Sequence, residues 1–91
     1  MLHKPTKTPE PDLTALRQAF TNLRHDAGMT YDELAEATGL SRRTLLNLGA
    51  GHYHGDLRTW LVLTRALGAS VDETLKPVWD DGPSGDLRPP N

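Results

Sequence analysis

The chain has no cysteine among its 91 residues, which excludes disulfides, thiolate metal sites and cysteine nucleophiles and suits a reducing compartment. It also lacks any apolar run near the ~20 residues that a membrane span requires. The opening Met1-Leu2-His3-Lys4-Pro5 carries no signal-peptide core. A soluble, cytoplasmic protein is therefore expected, with no membrane partner. No stretch alternates polar and apolar residues for long enough to suggest a strand, and no segment repeats. The signatures of catalysis are missing too: there is no nucleophile-elbow glycine pattern, no phosphate loop and no helical HExxH. Neither catalytic residues nor a cofactor is expected, and the chain does not read as an enzyme.

Charge is nearly balanced, at −2 with a pI near 6.0. That argues against coating DNA without regard to sequence, which needs many cationic phosphate contacts. It leaves room for a reader with one small basic face. Between Ala37 and Arg58 stand Arg42, Arg43 and Arg58 with a single acid, Asp56, plus His52 and His54. From Ser70 to Asp86 the balance reverses, with Asp72, Glu73, Asp80, Asp81 and Asp86 against Lys76. This asymmetry says more about partners than the total does.

A chain of this length makes one small domain. Residues 1–11 hold Pro5, Pro9 and Pro11 and little that can pack, so a flexible N-terminal arm is expected there. Residues 80–91, with Gly82, Pro83, Gly85, Pro89 and Pro90, read as a flexible acidic, proline-rich tail. Between them, over 12–79, the period is helical. Leu13, Leu16, Phe20, Leu23 and Ala27 form one stripe behind Asp12, a natural N-cap, and Gly28 ends it. Thr30-Tyr31-Asp32-Glu33 has the form of a capping box opening a second helix, which runs to Thr38 before Gly39. Ser41 can cap a third, from Arg42 to about Leu48, ended by Gly49 and Gly51. Asp56 can cap a fourth, Leu57 to Leu67. Ser70-Val71-Asp72-Glu73 opens a short fifth, which Pro77 closes. The fold class is therefore all-α: a compact five-helix domain. The link Gly39-Leu40-Ser41 is too short for antiparallel neighbours, so helices two and three should cross steeply as a helix-turn-helix.

The third helix is the most informative segment. With Arg42 at 0° and about 100° per residue, Leu46 falls at 40°, Arg43 at 100° and Asn47 at 140°, while Leu48 and Leu45 fall at 240° and 300°. One leucine pair is thus set aside for the core. The opposite face carries two arginines, an asparagine and a leucine. Arginine can reach guanine O6 and N7 with paired hydrogen bonds, asparagine can do the same for adenine N6 and N7, and Leu46 can touch a thymine methyl. Both arginines lie in the first turn, where they oppose the helix dipole and an external anion would relieve them.

The run from Gly28 through Met29-Thr30-Tyr31-Asp32-Glu33-Leu34 and Gly39-Leu40-Ser41-Arg42-Arg43-Thr44 to Leu45 resembles the helix-turn-helix of the phage-repressor/Cro, XRE-like family. Leu57-Arg58-Thr59-Trp60-Leu61 and the segment from Arg65 to Leu75 resemble that family's fourth and fifth helices. The resemblance implies a lambda-repressor-like domain that binds double-stranded operator DNA, commonly as a homodimer, in a bacterial or phage-encoded regulator associated with the nucleoid when bound. By position, Ser41, Arg42, Arg43 and Asn47 match the family's DNA-facing residues, and Thr44 matches a position that supports backbone contact. Thr30 and Tyr31 match the start of the second helix, where the family usually has a phosphate-binding glutamine. Tyr31 can donate one hydrogen bond to phosphate or pack on the first helix. The family often pairs an arginine near the end of helix one with a glutamate near the end of helix three. Here Arg24 stands opposite Gly49, so Arg24 needs another acceptor, stays in solvent or reaches a phosphate.

Three smaller features complete the reading. His52 and His54 flank Tyr53 in a loop bounded by Gly51 and Gly55, expected to be flexible. Two histidines without a third ligand do not make a metal site, so a DNA-backbone contact or a solvated loop are the alternatives. Leu57, Trp60, Leu61, Leu63, Thr64 and Leu67 share one broad face of helix four, the core side, with Val62 on the other. Val78 and Trp79 stand just past Pro77 in an acidic tail, where an indole either folds back on the helices or is buried between subunits, the dimer contact being the preferred alternative. The function expected is a sequence-specific transcriptional regulator, a repressor by resemblance. The alternative is an antitoxin-like or adaptor subunit that uses the same fold to engage a protein partner through the C-terminal segment.

Overall fold

Asp12 caps the first turn of the domain: its carboxylate accepts from the Thr14 N–H at 3.1 Å and from the Thr14 hydroxyl at 2.6 Å. The computed structural model describes residues 9–79. Most of the arm read at 1–11 and all of the tail read at 80–91 therefore lie outside the described residues. What Asp12 caps is a 3-10 turn, Leu13–Ala15, and α1 follows at Leu16–Ala27. This corrects the uniform helix expected from Leu13. The tighter turn rotates Leu13 out of the stripe to 46% exposure, and Ala19 takes a core position instead.

The remaining helices start at their expected caps. Thr30 closes a complete capping box over α2, Tyr31–Thr38: its hydroxyl accepts from the Glu33 N–H, and its own N–H donates to the Glu33 carboxylate. Ser41 caps α3, Arg42–Ala50; Asp56 caps α4, Leu57–Ala66; and Ser70 caps α5, Val71–Thr74. Two ends differ from expectation. Helix α3 runs through Gly49 and stops at Gly51. Pro77 does not merely end the chain's last helix. It lies in a 3-10 turn, Lys76–Val78, where an early proline position suits its fixed φ and missing N–H.

The core joins Leu16, Ala19, Phe20 and Leu23 of α1 to Leu34 of α2, Leu45 and Leu48 of α3, Trp60 and Leu63 of α4, and Val78. Leu34, Leu45 and Leu63 are fully buried, and each such side chain contributes roughly 1.5–3 kcal/mol by leaving water. Val78 folds back on the helices. It is buried, and its carbonyl accepts from the Asp12 N–H at 2.7 Å, so both ends of the domain are tied together. Trp79, one residue on, is 41% exposed.

Helix α4 corrects a second expectation. Trp60, Leu63 and Thr64 are buried and Leu67 half-buried, but Leu57 is 70% and Leu61 47% exposed. The core-facing arc is narrower than the apolar face, because only α2 and α5 pack closely on α4. Val62, assigned to the opposite side, is half-buried.

Candidate nucleic-acid interface

The turn between α2 and α3 is built from side chains that satisfy local backbone. Thr38 donates its hydroxyl to the Leu34 carbonyl at 2.7 Å and accepts from the Leu40 N–H at 3.1 Å. Gly39 takes φ 76°, a left-handed conformation that costs other residues more than glycine. Leu40 is half-buried against the core, and Ser41 returns to extended backbone. The Ser41 hydroxyl accepts from the Thr44 N–H at 3.0 Å and donates to the Thr44 hydroxyl at 2.9 Å. Three residues thus redirect the chain, with the Gly39 and Leu40 N–H groups both hydrogen-bonded.

Burial divides α3 as the helical wheel predicts. Leu45 and Leu48 are buried. Arg42, Arg43 and Leu46 are exposed, and Asn47 and Thr44 are half-buried. The added length of α3 brings Ala50 onto the same exposed face, a residue the shorter predicted helix leaves out. Arg43 takes part in none of the ion pairs among the described residues. Arg42 does: its Nε donates to Asp32 Oδ1 of α2 at 2.9 Å. Sequence reasoning names Asp32 only within the capping-box run Thr30-Tyr31-Asp32-Glu33. A ten-residue separation across a turn gives no periodic signal for such a pair.

The start of α2 divides its two candidates. Thr30 is exposed beside the face but uses its hydroxyl in the cap. Tyr31 turns inward. Its ring packs 6.3 Å from that of Phe20, and its hydroxyl lies over Gly49, where a Cβ would overlap it. Arg24 lies over the ring, 4.7 Å from the centroid, and donates to the Met29 carbonyl at 3.1 Å. Arg24 therefore takes the first of its three alternatives, another acceptor. The space beside Gly49 is filled by the Tyr31 phenol.

His52, Tyr53 and His54 are exposed. The loop that carries them is pinned at both ends, contrary to the flexibility its glycines suggest. The His52 N–H donates to the Asn47 carbonyl at 2.9 Å, and the Trp60 indole donates to the His54 carbonyl at 2.8 Å. Among the described residues no group of three or more potential ligands could hold a metal ion. Asp56, at the loop's end, accepts from the N–H and hydroxyl of Thr59 at 2.8 and 2.7 Å. The Thr59 N–H, then its hydroxyl, hold the Asp56 carboxyl below the usual carboxylate range.

A capped helix, a three-residue turn and a second helix with its polar face turned outward define a class, the DNA-binding transcription regulators. The chain belongs to the helix-turn-helix domain family, whose model matches residues 15–76, and within it to the phage-repressor/Cro, XRE-like kind that its sequence resembles. It is 33% identical over 67 residues to an uncharacterized HTH-type transcriptional regulator of Methanothermobacter thermautotrophicus, spanning 74% of this chain and 97% of that protein. A second such regulator, from Archaeoglobus fulgidus, is 30% identical over 66 residues, 72% of this chain and 91% of that protein. Among solved structures, the clp gene regulator ClgR from C. glutamicum superposes with a TM-score of 0.66 at 38% identity, covering 79% of this chain and 94% of that one. No helix among the described residues is long and apolar enough to cross a membrane.

Proposed function

We propose that the chain reads operator DNA in the major groove with the exposed face of α3. Arg42, Arg43, Leu46 and Asn47 contact base edges, and Ser41 and Thr44 sit by the backbone at the helix start. The observation that carries this reading is the division of α3: Leu45 and Leu48 are buried while both arginines stand in solvent. Arg43 supports it most directly, being an exposed cation outside the ion pairs of the described residues. Thr30, His52 and His54 lie in segments suited to phosphate contact, which the histidines would make through a protonated ring. Tyr31 supports the interface from behind, through its seat on Gly49. On this reading the protein acts in the cytoplasm, bound to the nucleoid when on its operator, as a repressor and without catalysis.

Two copies on a two-fold site would suit the fold, and the exposed apolar side chains Leu57, Leu61 and Trp79 are available for their pairing. The antitoxin-like or adaptor alternative is not favoured: Val78, part of the segment it would use, is buried.

Selection from a randomised double-stranded library, followed by titration and sedimentation of the enriched duplex, tests the reading. Arg43→Ala and Asn47→Ala should each weaken binding by about 1–3 kcal/mol and relax a single base position, with two chains per duplex. If neither substitution changes the enriched sequence, the groove assignment is wrong.

A further inference from the structure

An exposed acid stands beside one of the two arginines of the α3 face. Asp32 lies in the first turn of α2, ten residues before Arg42, and its Oδ1 takes the Arg42 Nε–H at 2.9 Å. Both side chains remain largely in solvent, at 58% for Arg42 and 81% for Asp32. An exposed pair of this kind adds little to stability, so folding gives no strong reason for it. Its geometry offers another. A guanidinium has two edges that can engage a planar acceptor pair, one formed by Nε and an Nη, the other by the two Nη groups. The contact with Asp32 is through Nε, which leaves the Nη–Nη edge outside that contact. That edge matches O6 and N7 of guanine. An arginine stem loses rotamer freedom when it is held, and restraining it before binding lowers what the protein–DNA contact must overcome. The carboxylate also subtracts charge from the face, which weakens attraction to phosphate whatever the sequence.

We propose that Asp32 is a positioning residue for sequence discrimination: it aims the Nη edge of Arg42 at a guanine and restrains sequence-independent binding. The inference rests on the major-groove reading of α3, and it adds a second helix to the residues that set specificity. Neutralising Asp32 should have opposite effects on two quantities. Base preference at the position read by Arg42 should fall, and affinity for unrelated duplex should rise. A carboxylate that merely stabilised α2 would not separate them.

The experiment compares full-length wild type, Asp32→Asn, Arg42→Ala and Glu36→Gln. Glu36 is an exposed acid of the same helix that takes part in none of the ion pairs among the described residues, so its variant controls for charge alone. Each protein is used in selection from a randomised double-stranded DNA library and then titrated against the enriched duplex and a mixed-sequence duplex over a range of salt. Circular dichroism checks that each is folded. Arg42→Ala should erase a guanine preference at one position per half-site. Asp32→Asn should reduce that same preference about fivefold or more. It should also bind mixed-sequence duplex several-fold more tightly, with the salt slope steeper by up to ~0.9. Glu36→Gln should keep the guanine. The proposal is overturned if Asp32→Asn retains the wild-type preference, relaxes a position other than the one lost in Arg42→Ala, or tightens both duplexes equally, which would mean that Asp32 only holds Arg42 back. If wild type enriches a site but Arg42→Ala leaves it unchanged, this proposal falls while the groove reading stands on Arg43 and Asn47. If wild type enriches no sequence, both fall.

Discussion

Gly49 shows how one residue can carry information that its local setting hides. In a helix interior, glycine is about 1 kcal/mol worse than alanine, so Gly49→Ala would ordinarily stabilise α3. Here the added Cβ would overlap the Tyr31 hydroxyl, with Phe20 Cε2 and the Tyr31 Cζ next at 3.5 Å. The phenol cannot easily withdraw, since Phe20 packs beside its ring and Arg24 covers it. Gly49→Ala should therefore destabilise the wild-type chain by about 1–3 kcal/mol through overpacking. In a Tyr31→Phe background the same change should be neutral or stabilising, because the remaining neighbours are at ordinary contact distance. Denaturant unfolding of the four proteins in this cycle gives the coupling; additive effects would refute the fit between Tyr31 and Gly49.

Elements are where the sequence was most readable. Thr30, Ser41, Asp56 and Ser70 each cap the helix that follows them, because a side-chain acceptor and an orphan N–H three residues apart meet through local geometry alone. Of these, Asp56 carries a titration. Its folded carboxyl lies below its ordinary value because the Thr59 N–H and hydroxyl donate to the charged form. A depressed carboxylate contributes stability that is fully present above the unfolded value, about 3.9, and is lost as pH falls through the folded one. Asp56→Ala should accordingly lower the thermal midpoint at pH 7, and the gap from wild type should narrow as pH falls below that unfolded value. Melts across pH 2–7 check this, and a gap independent of pH would show that the charge of Asp56 is immaterial. Less legible were the element ends. The 3-10 turn at Leu13–Ala15 and the extension of α3 to Ala50 depend on what packs outside each helix, to which a window of periodicity is blind.

At the scale of the whole molecule, the two ends of the domain close on each other. The Asp12 N–H meets the Val78 carbonyl, and the Val78 side chain joins the core of α1. In a domain this small a single core has little stability to spare, so a peripheral residue weighs heavily. Val78→Ala should destabilise by about 1–2 kcal/mol, a fall of roughly 4–8 °C in melting temperature for each kcal/mol. Calorimetry measures it, and an unchanged midpoint would make the closure incidental. The exposed Leu57 and Leu61 belong to the same scale. Their spacing marks them as apolar-face residues, but the packing of the described residues leaves them exposed.

The sequence alone determined the helices, their caps, the short Gly39-Leu40-Ser41 turn and the division of α3 into buried leucines and outward Arg42, Arg43, Leu46 and Asn47. Each follows from contacts within a few residues, where spacing and chemistry suffice. Only tertiary structure decided that Asp32 holds Arg42, that Tyr31 and Arg24 fill the space over Gly49, and that Val78 belongs to the core while Leu57 does not. Those outcomes rest on which surfaces meet when the helices pack, and residues far apart in the chain carry no periodic trace of that meeting.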